Sequence, residues 1–246
     1  MNIETNIPVR PVTFMSDEKR KDKAEVAYFM RRLYARGLTT TSGGNISLRT
    51  GKDRILITPS GSDKGRMRVG EIGVVDLDGQ PVSKGFKPSI ETLSHTLIYR
   101  ARDDIASVIH AHPPQASALS ASSIPVNTSL FGESRAILGE IAYVGYHRMG
   151  SAGLAEALAA ALTTSNCAIM RNHGVVAVGS SLLEAFDRIE VLEAAAALTV
   201  ASLTCLKPFA VEIPEADLLK IDEMMSKAER GRCHIRGSGH ETRSSG

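Results

Sequence analysis

The sequence predicts a mixed α/β fold of the α+β type, with a mainly antiparallel sheet sandwiched by helices. Three observations predict it. Apolar residues recur with helical spacing in long segments, several short strands follow one another through turn residues, and the two kinds of element intermix without strict strand–helix–strand alternation. The last of these argues against a doubly wound parallel sheet.

Residues 16–36 form the first helix. Val26, Phe29, Met30, Leu33 and Tyr34 recur at helical spacing, Asp17 and Glu18 occupy the first turn, and Gly37 supplies the stop. Short strands follow at 45–49, 54–58 and 73–77, separated by Gly51-Lys52-Asp53 and closed by Asp78-Gly79, and strands so near in sequence pair antiparallel. Pro88-Ser89 opens a helix through Arg102 with Ile90, Leu93, Leu97 and Ile98 facing inward. Residues 105–112 read as a strand, and Pro113-Pro114 start another helix. Strands at 141–144 and 167–171 bracket a helix at 151–162, and a hairpin returns through 175–178. A long helix from 182 to about 203 keeps Glu184, Asp187, Arg188 and Glu190 on its wet side, and a final helix covers 215–228.

A chain of 246 residues is long enough for one large domain, and no linker or repeat divides it. We read one domain at 16–230, an N-terminal extension at 1–15 and a flexible basic tail at 231–246. Apolar residues at 43% and charged residues at 23% are ordinary globular values. The alanine-rich stretch 194–201 follows Glu190 and Glu193 and never becomes a membrane span, and residues 1–8 lack the basic start and apolar core of a secretory signal. A cytoplasmic location is expected. Cys167, Cys205 and Cys233 are odd in number and far apart, so they read as reduced thiols, two of them buried. A net charge of +2, no Trp and no basic stripe interleaved with aromatics exclude a nucleic-acid partner.

The chemistry centres on histidines. Side chains at i and i+2 of a strand point the same way, so His110 and His112 can present both imidazoles to one ion, and imidazole suits zinc and related divalent metals. A catalytic zinc takes three protein ligands and keeps a position open; His173, in Asn172-His173-Gly174, is the natural third. Glu91, just after Ser89, fits two roles: an acid favoured by a helix start, or a proton-transfer group beside the metal. His95, one helical turn later, reads as a packed or hydrogen-bonded residue, while His147, His234 and His240 lack a partner pattern. Ser42-Gly43-Gly44-Asn45, Thr58-Pro59-Ser60-Gly61 and Pro88-Ser89 could each hold a phosphate, although turns use the same residues.

Taken in order, Gly43-Gly44-Asn45-Ile46-Ser47, Ile57-Thr58-Pro59-Ser60-Gly61, Val75-Asp76-Leu77-Asp78-Gly79, Lys87-Pro88-Ser89-Ile90-Glu91, Val108-Ile109-His110-Ala111-His112 and Asn172-His173-Gly174 resemble the class II aldolase/adducin family over about residues 20–210. Within that family the pattern is similar to L-fuculose-phosphate aldolase-like enzymes. The resemblance implies a three-layer αβα sandwich and a zinc ion, or another divalent metal such as Mn2+, Co2+ or Fe2+, on His110, His112 and His173. It also implies Glu91 as the acid/base, and Gly44, Asn45, Ser60, Gly61 and Ser89 at phosphate-holding positions. The partner implied is a small, phosphorylated substrate, with no nucleic acid and no membrane, in a homotetramer. The reaction so implied is retro-aldol cleavage of a phosphorylated ketose through a zinc-stabilised enediolate.

The chain departs from the family pattern at three places. Ile90 replaces the second serine of Pro-Ser-Ser-Glu, Ser129 stands near the place of a tyrosine, and no Tyr occurs after Tyr146. Decarboxylation, dehydration or epimerisation on the same metal site, and a non-catalytic adducin-like interaction module, are the alternatives.

Overall fold

The computed structural model describes residues 17–237. Helix α1 (Asp17–Ala35) stops where Gly37 takes a φ of 68° and the Leu38 N–H closes onto the Leu33 carbonyl at 2.9 Å. The chain then enters β1 (Asn45–Arg49), β2 (Arg54–Ile57) and β3 (Gly73–Asp76), which pair antiparallel as their short connections dictate. Next come α2 (Thr92–Ala101), β4 (Ser107–Ala111), α3 (Pro114–Ser120), α4 (Gly132–Leu138) and β5 (Ile141–Val144). Helix α5 (Ala152–Ala161) leads to the hairpin β6 (Cys167–Met170) and β7 (Gly174–Gly179), followed by α6 (Leu182–Thr204) and α7 (Glu215–Gly237). Ser151 and Ser181 cap α5 and α6, each accepting the N–H three residues on at 3.2 Å.

The seven strands form one sheet in the order β3-β2-β1-β4-β7-β6-β5. Only the β5–β6 pair is parallel, because helix α5 carries the chain back across the sheet between them. Strand periodicity then sorts the core into two layers. Ile46, Leu56, Ile109, Cys167, Ile169, Val175 and Ala177 face α1, α3, α4 and α6, whose Phe29, Met30, Leu33, Leu119, Leu138 and Phe186 bury against them. On the opposite face, Ile55, Ile57, Val108, Ala168, Met170, Val176 and Val178 meet Ile98 and Tyr99 of α2 and Leu154 and Leu158 of α5. This is the three-layer αβα arrangement. Each fully buried aliphatic side chain in it contributes about 1.5–3 kcal/mol.

Three features differ from the expectation. Helix α2 begins at Thr92, not at Pro88-Ser89, because residues 87–89 lie against the 58–60 segment: Pro59 bridges Pro88, and the Ser60 N–H donates to the Lys87 carbonyl at 3.1 Å. Its inward stripe is also not the apolar one, since Ile90 is 60% and Leu93 39% exposed, while Glu91, Ser94, His95, Ile98 and Tyr99 are buried. Helix α4 has one short apolar turn and no capping side chain, so no periodic signal announced it. Helix α7 runs on to Gly237, with Asp222 paired to Arg135 of α4 at 2.6 Å. Of the thiols, Cys167 is buried and Cys205 exposed. The side chain of Cys233 and residues 1–16 and 238–246 lie outside what is described.

Candidate metal and acid/base site

The register of the sheet sets the site. Asn45 of β1 sits directly opposite His110 of β4, on the face that α2 covers. His112 lies one residue past the end of β4, where its N–H donates to the Leu38 carbonyl at 3.0 Å. His173 comes from the β6–β7 turn, which Asn172 closes with a left-handed φ of 54°, a conformation Asn tolerates better than most side chains. Two glycines make room for the rings. A Cβ on Gly174 would stand 2.6 Å from the His112 ring, and one on Gly43 would stand 2.7 Å from His112 Nδ1.

The donor nitrogens of His110, His112 and His173 all lie within 4.8 Å of one another. Three imidazoles around a tetrahedral zinc have nitrogens roughly 3.4 Å apart, at Zn–N distances of about 2.0–2.1 Å, so a small inward movement closes the set on an ion. Two further observations fit a metal. His110 Nδ1–H donates to the Val175 carbonyl at 2.9 Å, which leaves the Nε2 lone pair for the centre. Both ring nitrogens of His173 are buried without a well-formed hydrogen bond, Nε2 meeting only the Glu91 carboxylate, a costly state that a ligand bond would relieve.

Glu91 completes the cluster. Its Oε2 is 3.2 Å from His110 Nε2, its Oε1 is 3.2 Å from His173 Nε2, and Asn45 Nδ2 donates to Oε2 at 2.7 Å. Glu91 occupies the N-cap position of α2, yet its carboxylate caps no backbone N–H. Burial pushes the carboxyl up, but His110, His173 and the Asn45 amide outweigh it and hold Glu91 well below the ordinary carboxylate range. Burial also lowers three imidazoles: His110 falls below its usual value, and His95 and His112 drop to about 3. An ionised Glu91 beside a neutral His110 and His112 is the protonation state that metal binding requires of those groups.

The three polar segments meet beside Glu91. The Thr58 hydroxyl accepts the Ile46 N–H at 3.2 Å, the 58–60 segment pairs with 87–88, and Ser89 Oγ accepts the Glu91 N–H at 3.3 Å. Gly44, with a φ of 66°, presses against β4 so closely that a Cβ would stand 2.7 Å from the His110 carbonyl. Ser60 and Ser89 are half-buried and Gly61 is exposed. Gly44 and Asn45 are both buried, and the Asn45 amide is taken up by Glu91 and His95.

Residues 24–200 match the family model for the Class II Aldolase and Adducin N-terminal domain. The chain belongs to this family. Among the relatives of this class II aldolase/adducin chain is the L-fuculose phosphate aldolase of Methanocaldococcus jannaschii, 39% identical over 186 residues that cover 76% of this chain and 99% of the relative. The 3-oxo-tetronate 4-phosphate decarboxylase of Haemophilus influenzae is 35% identical over 68% of this chain and 81% of its own length. The solved structure of l-fuculose-1-phosphate aldolase from Thermus thermophilus is 30% identical with a TM-score of 0.67, covering 76% of this chain and 98% of that one.

His95, which the sequence reads as packed or hydrogen-bonded, is both: it is 2% exposed and belongs to a hydrogen-bonded row with Asn45, Ser47 and Tyr99. One part of this class II aldolase/adducin site escaped the sequence reading. Lys64 is 1% exposed, and its Nζ donates to the Pro59 carbonyl at 2.9 Å and to Ser62 Oγ at 3.2 Å, bracing the 58–61 turn from behind. Burial lowers Lys64 to about 8 against the upward pull of Glu71. Its only sequence signal is a lysine three residues beyond Gly61 in a polar turn. No helix among the described residues is long and apolar enough to cross a membrane.

Proposed function

We propose that this class II aldolase-type enzyme is a metal-dependent carbon–carbon lyase acting on a small phosphorylated ketose. The observation that carries the reading is the convergence of His110, His112 and His173 within 4.8 Å with Glu91 set against two of them. A divalent cation on those histidines, zinc by the all-imidazole donor set, supplies Lewis-acid polarisation of the substrate carbonyl. The other steps belong to the chain's own residues. In retro-aldol cleavage a hydroxyl proton leaves, the adjacent carbon–carbon bond breaks to an aldehyde, and the electron pair rests on the carbon next to the ketone until a proton arrives. Glu91, ionised and held by Asn45, is the group placed to carry those protons. Ser60, Gly61 and Ser89, with Gly44 at the turn into β1, offer the phosphate its seat; the amide of Asn45 serves Glu91 and stands behind that seat.

A second reading, decarboxylation of a 3-oxo acid phosphate, has its own support. The decarboxylase relative matches over 68% of the chain. Phenols that could take up the hydroxyl proton as the aldehyde leaves are scarce: Ser129 stands where a tyrosine is expected, Tyr99 is fully buried, and the Tyr143 hydroxyl accepts the Val126 N–H at 2.8 Å. Loss of carbon dioxide deprotonates no hydroxyl: the carbon–carboxylate bond breaks, the electron pair rests on the same carbon, and the proton it takes comes from solvent water, with Glu91 as its relay.

The test incubates zinc-loaded protein with L-fuculose 1-phosphate, 5-deoxy-D-ribulose 1-phosphate and 3-oxo-tetronate 4-phosphate. Dihydroxyacetone phosphate from the first two marks the lyase, carbon dioxide from the third marks the decarboxylase, and no product from any removes both. Phosphoglycolate should inhibit competitively. Ile90, 60% exposed at the missing serine position, gives the scale: a hydrogen bond to a charged group is worth about 1.5–3 kcal/mol, so Ile90→Ser should tighten phosphoglycolate binding roughly tenfold or more. No inhibition of either protein at millimolar concentration would exclude a phosphorylated substrate. A homotetramer belongs to the same proposal, supported by the exposed apolar side chains of Ile90 and Leu93, which flank Glu91 in sequence, and of Met149, next to the Gly150 that packs on Ile90. Light scattering that gives a monomer mass would refute it.

A further inference from the structure

Behind Glu91 runs a buried row of polar side chains with a single direction. An ionised carboxylate only accepts, so the Asn45 amide must turn Nδ2 toward Glu91 Oε2, at 2.7 Å, and Oδ1 away from it. Oδ1 meets His95 Nε2, and because an amide oxygen also only accepts, that nitrogen must carry the proton. His95 Nδ1 is then a lone pair, and it takes the hydroxyl proton of Ser47, whose Oγ lies 2.6 Å away. Ser47 is followed by the Tyr99 hydroxyl at 3.0 Å, which also reaches the Ala106 carbonyl at 3.2 Å. Reversing Asn45 or His95 would set acceptor against acceptor or donor against donor in a row closed off from solvent, whereas the Ser47 and Tyr99 hydroxyls turn to follow. Asn45 is 4%, Ser47 0%, His95 2% and Tyr99 0% exposed.

The fold builds this row from two facing ladders. Asn45 and Ser47 are two apart on β1, and Glu91, His95 and Tyr99 are four apart along the start and body of α2. Each strand step on one side thus meets one helical turn on the other. None of the three supporting residues touches the metal-facing nitrogens, and none reaches the open side of the site.

We propose that His95 is a positioning residue for Glu91, acting through the Asn45 amide: its Nε2–H donates to Oδ1 and so holds the amide in the one orientation that donates to the carboxylate, with the Ser47 hydroxyl closing the Nδ1 side. This rests on Glu91 as the proton-transfer group. Without His95 Nε2–H, the Asn45 amide turns freely and Glu91 loses its fixed place between His110 and His173. Loss of a partner that orients a reacting group typically costs about 10–100-fold in activity.

The decisive pair is His95→Gln and His95→Asn, both polar amides that suit the same cavity. Gln places a donor where Nε2 was and still reaches Asn45; Asn reaches only toward Ser47. Assayed with L-fuculose 1-phosphate, or with 3-oxo-tetronate 4-phosphate if the wild type turns over that compound, His95→Asn should lose about 10–100-fold in kcat with KM and zinc content little changed. His95→Gln should stay within about threefold of wild type on the same scale. Wild-type kcat in His95→Asn, or an equal loss in both variants, overturns the proposal. Glu91→Gln separates this failure from that of the underlying reading: wild-type turnover there removes the role of Glu91 itself, whereas a slow Glu91→Gln beside a fast His95→Asn removes only the role of His95. Nitrogen-15 NMR of the zinc-loaded wild type gives a readout free of turnover and of variant folding. His95 should show the Nε2–H tautomer, and an Nδ1–H tautomer would mean that the amide faces the other way.

Discussion

The His173→Ala protein is expected to lose its divalent metal and its turnover together, while its far-ultraviolet circular dichroism stays that of the wild type. His173 sits in the β6–β7 turn, outside both apolar layers, and the polar neighbour of its ring is the Glu91 carboxylate, 3.2 Å from Nε2. With two imidazoles left, the set falls below the three protein ligands of a catalytic zinc site. The fall in affinity should exceed the roughly 10–100-fold that loss of a ligand's hydrogen-bonding partner costs. Metal analysis of the dialysed protein decides the matter: one metal per chain in His173→Ala would take that residue out of the site.

Glu91→Gln is expected to keep the metal and lose the chemistry. The amide has the size of the carboxylate, so Asn45 keeps an oxygen to donate to and the buried pocket stays filled. What disappears is the proton acceptor, and groups of this kind contribute about 10²–10⁴-fold in rate. The contrast with His173→Ala is the informative part, because one variant separates metal content from turnover and the other does not. Turnover of Glu91→Gln at the wild-type rate would reduce the carboxylate to a structural partner of Asn45 and the two histidines.

The histidine pair was legible because spacing along a strand is also spacing in space. His110 and His112 are two residues apart, and their rings stand 4.6 Å apart, edge to face. The helices with long apolar repeats were legible for the same reason: α1 and α6 carry their inward faces in their own sequence. Helix α4, a seven-residue segment with no side-chain cap, was not. Nor was the true start of α2, which the bridge between Pro59 and Pro88 sets, a contact 29 residues long that no local pattern encodes.

The inward face of α2 shows where local reading ends. By sequence alone Ile90 and Leu93 should point inward, and burying one such side chain is worth about 1.5–3 kcal/mol. The structure instead turns Glu91, His95 and Tyr99 toward the sheet and leaves Ile90 and Leu93 exposed. The strand that α2 covers presents Asn45 and Ser47 on that side, both buried, and each would cost about 1–3 kcal/mol if left without a partner. Several unpaired polar groups outweigh one or two exposed aliphatic ones. The sequence by itself therefore determined which residues could ligate a metal, where the strands and the long periodic helices lie, and the layered class of the fold. Only the tertiary structure decided that Glu91 sits among histidines 19, 21 and 82 residues away and that the Asn45 amide faces it, because hydrogen-bond satisfaction in a closed interior is settled between elements and not within them.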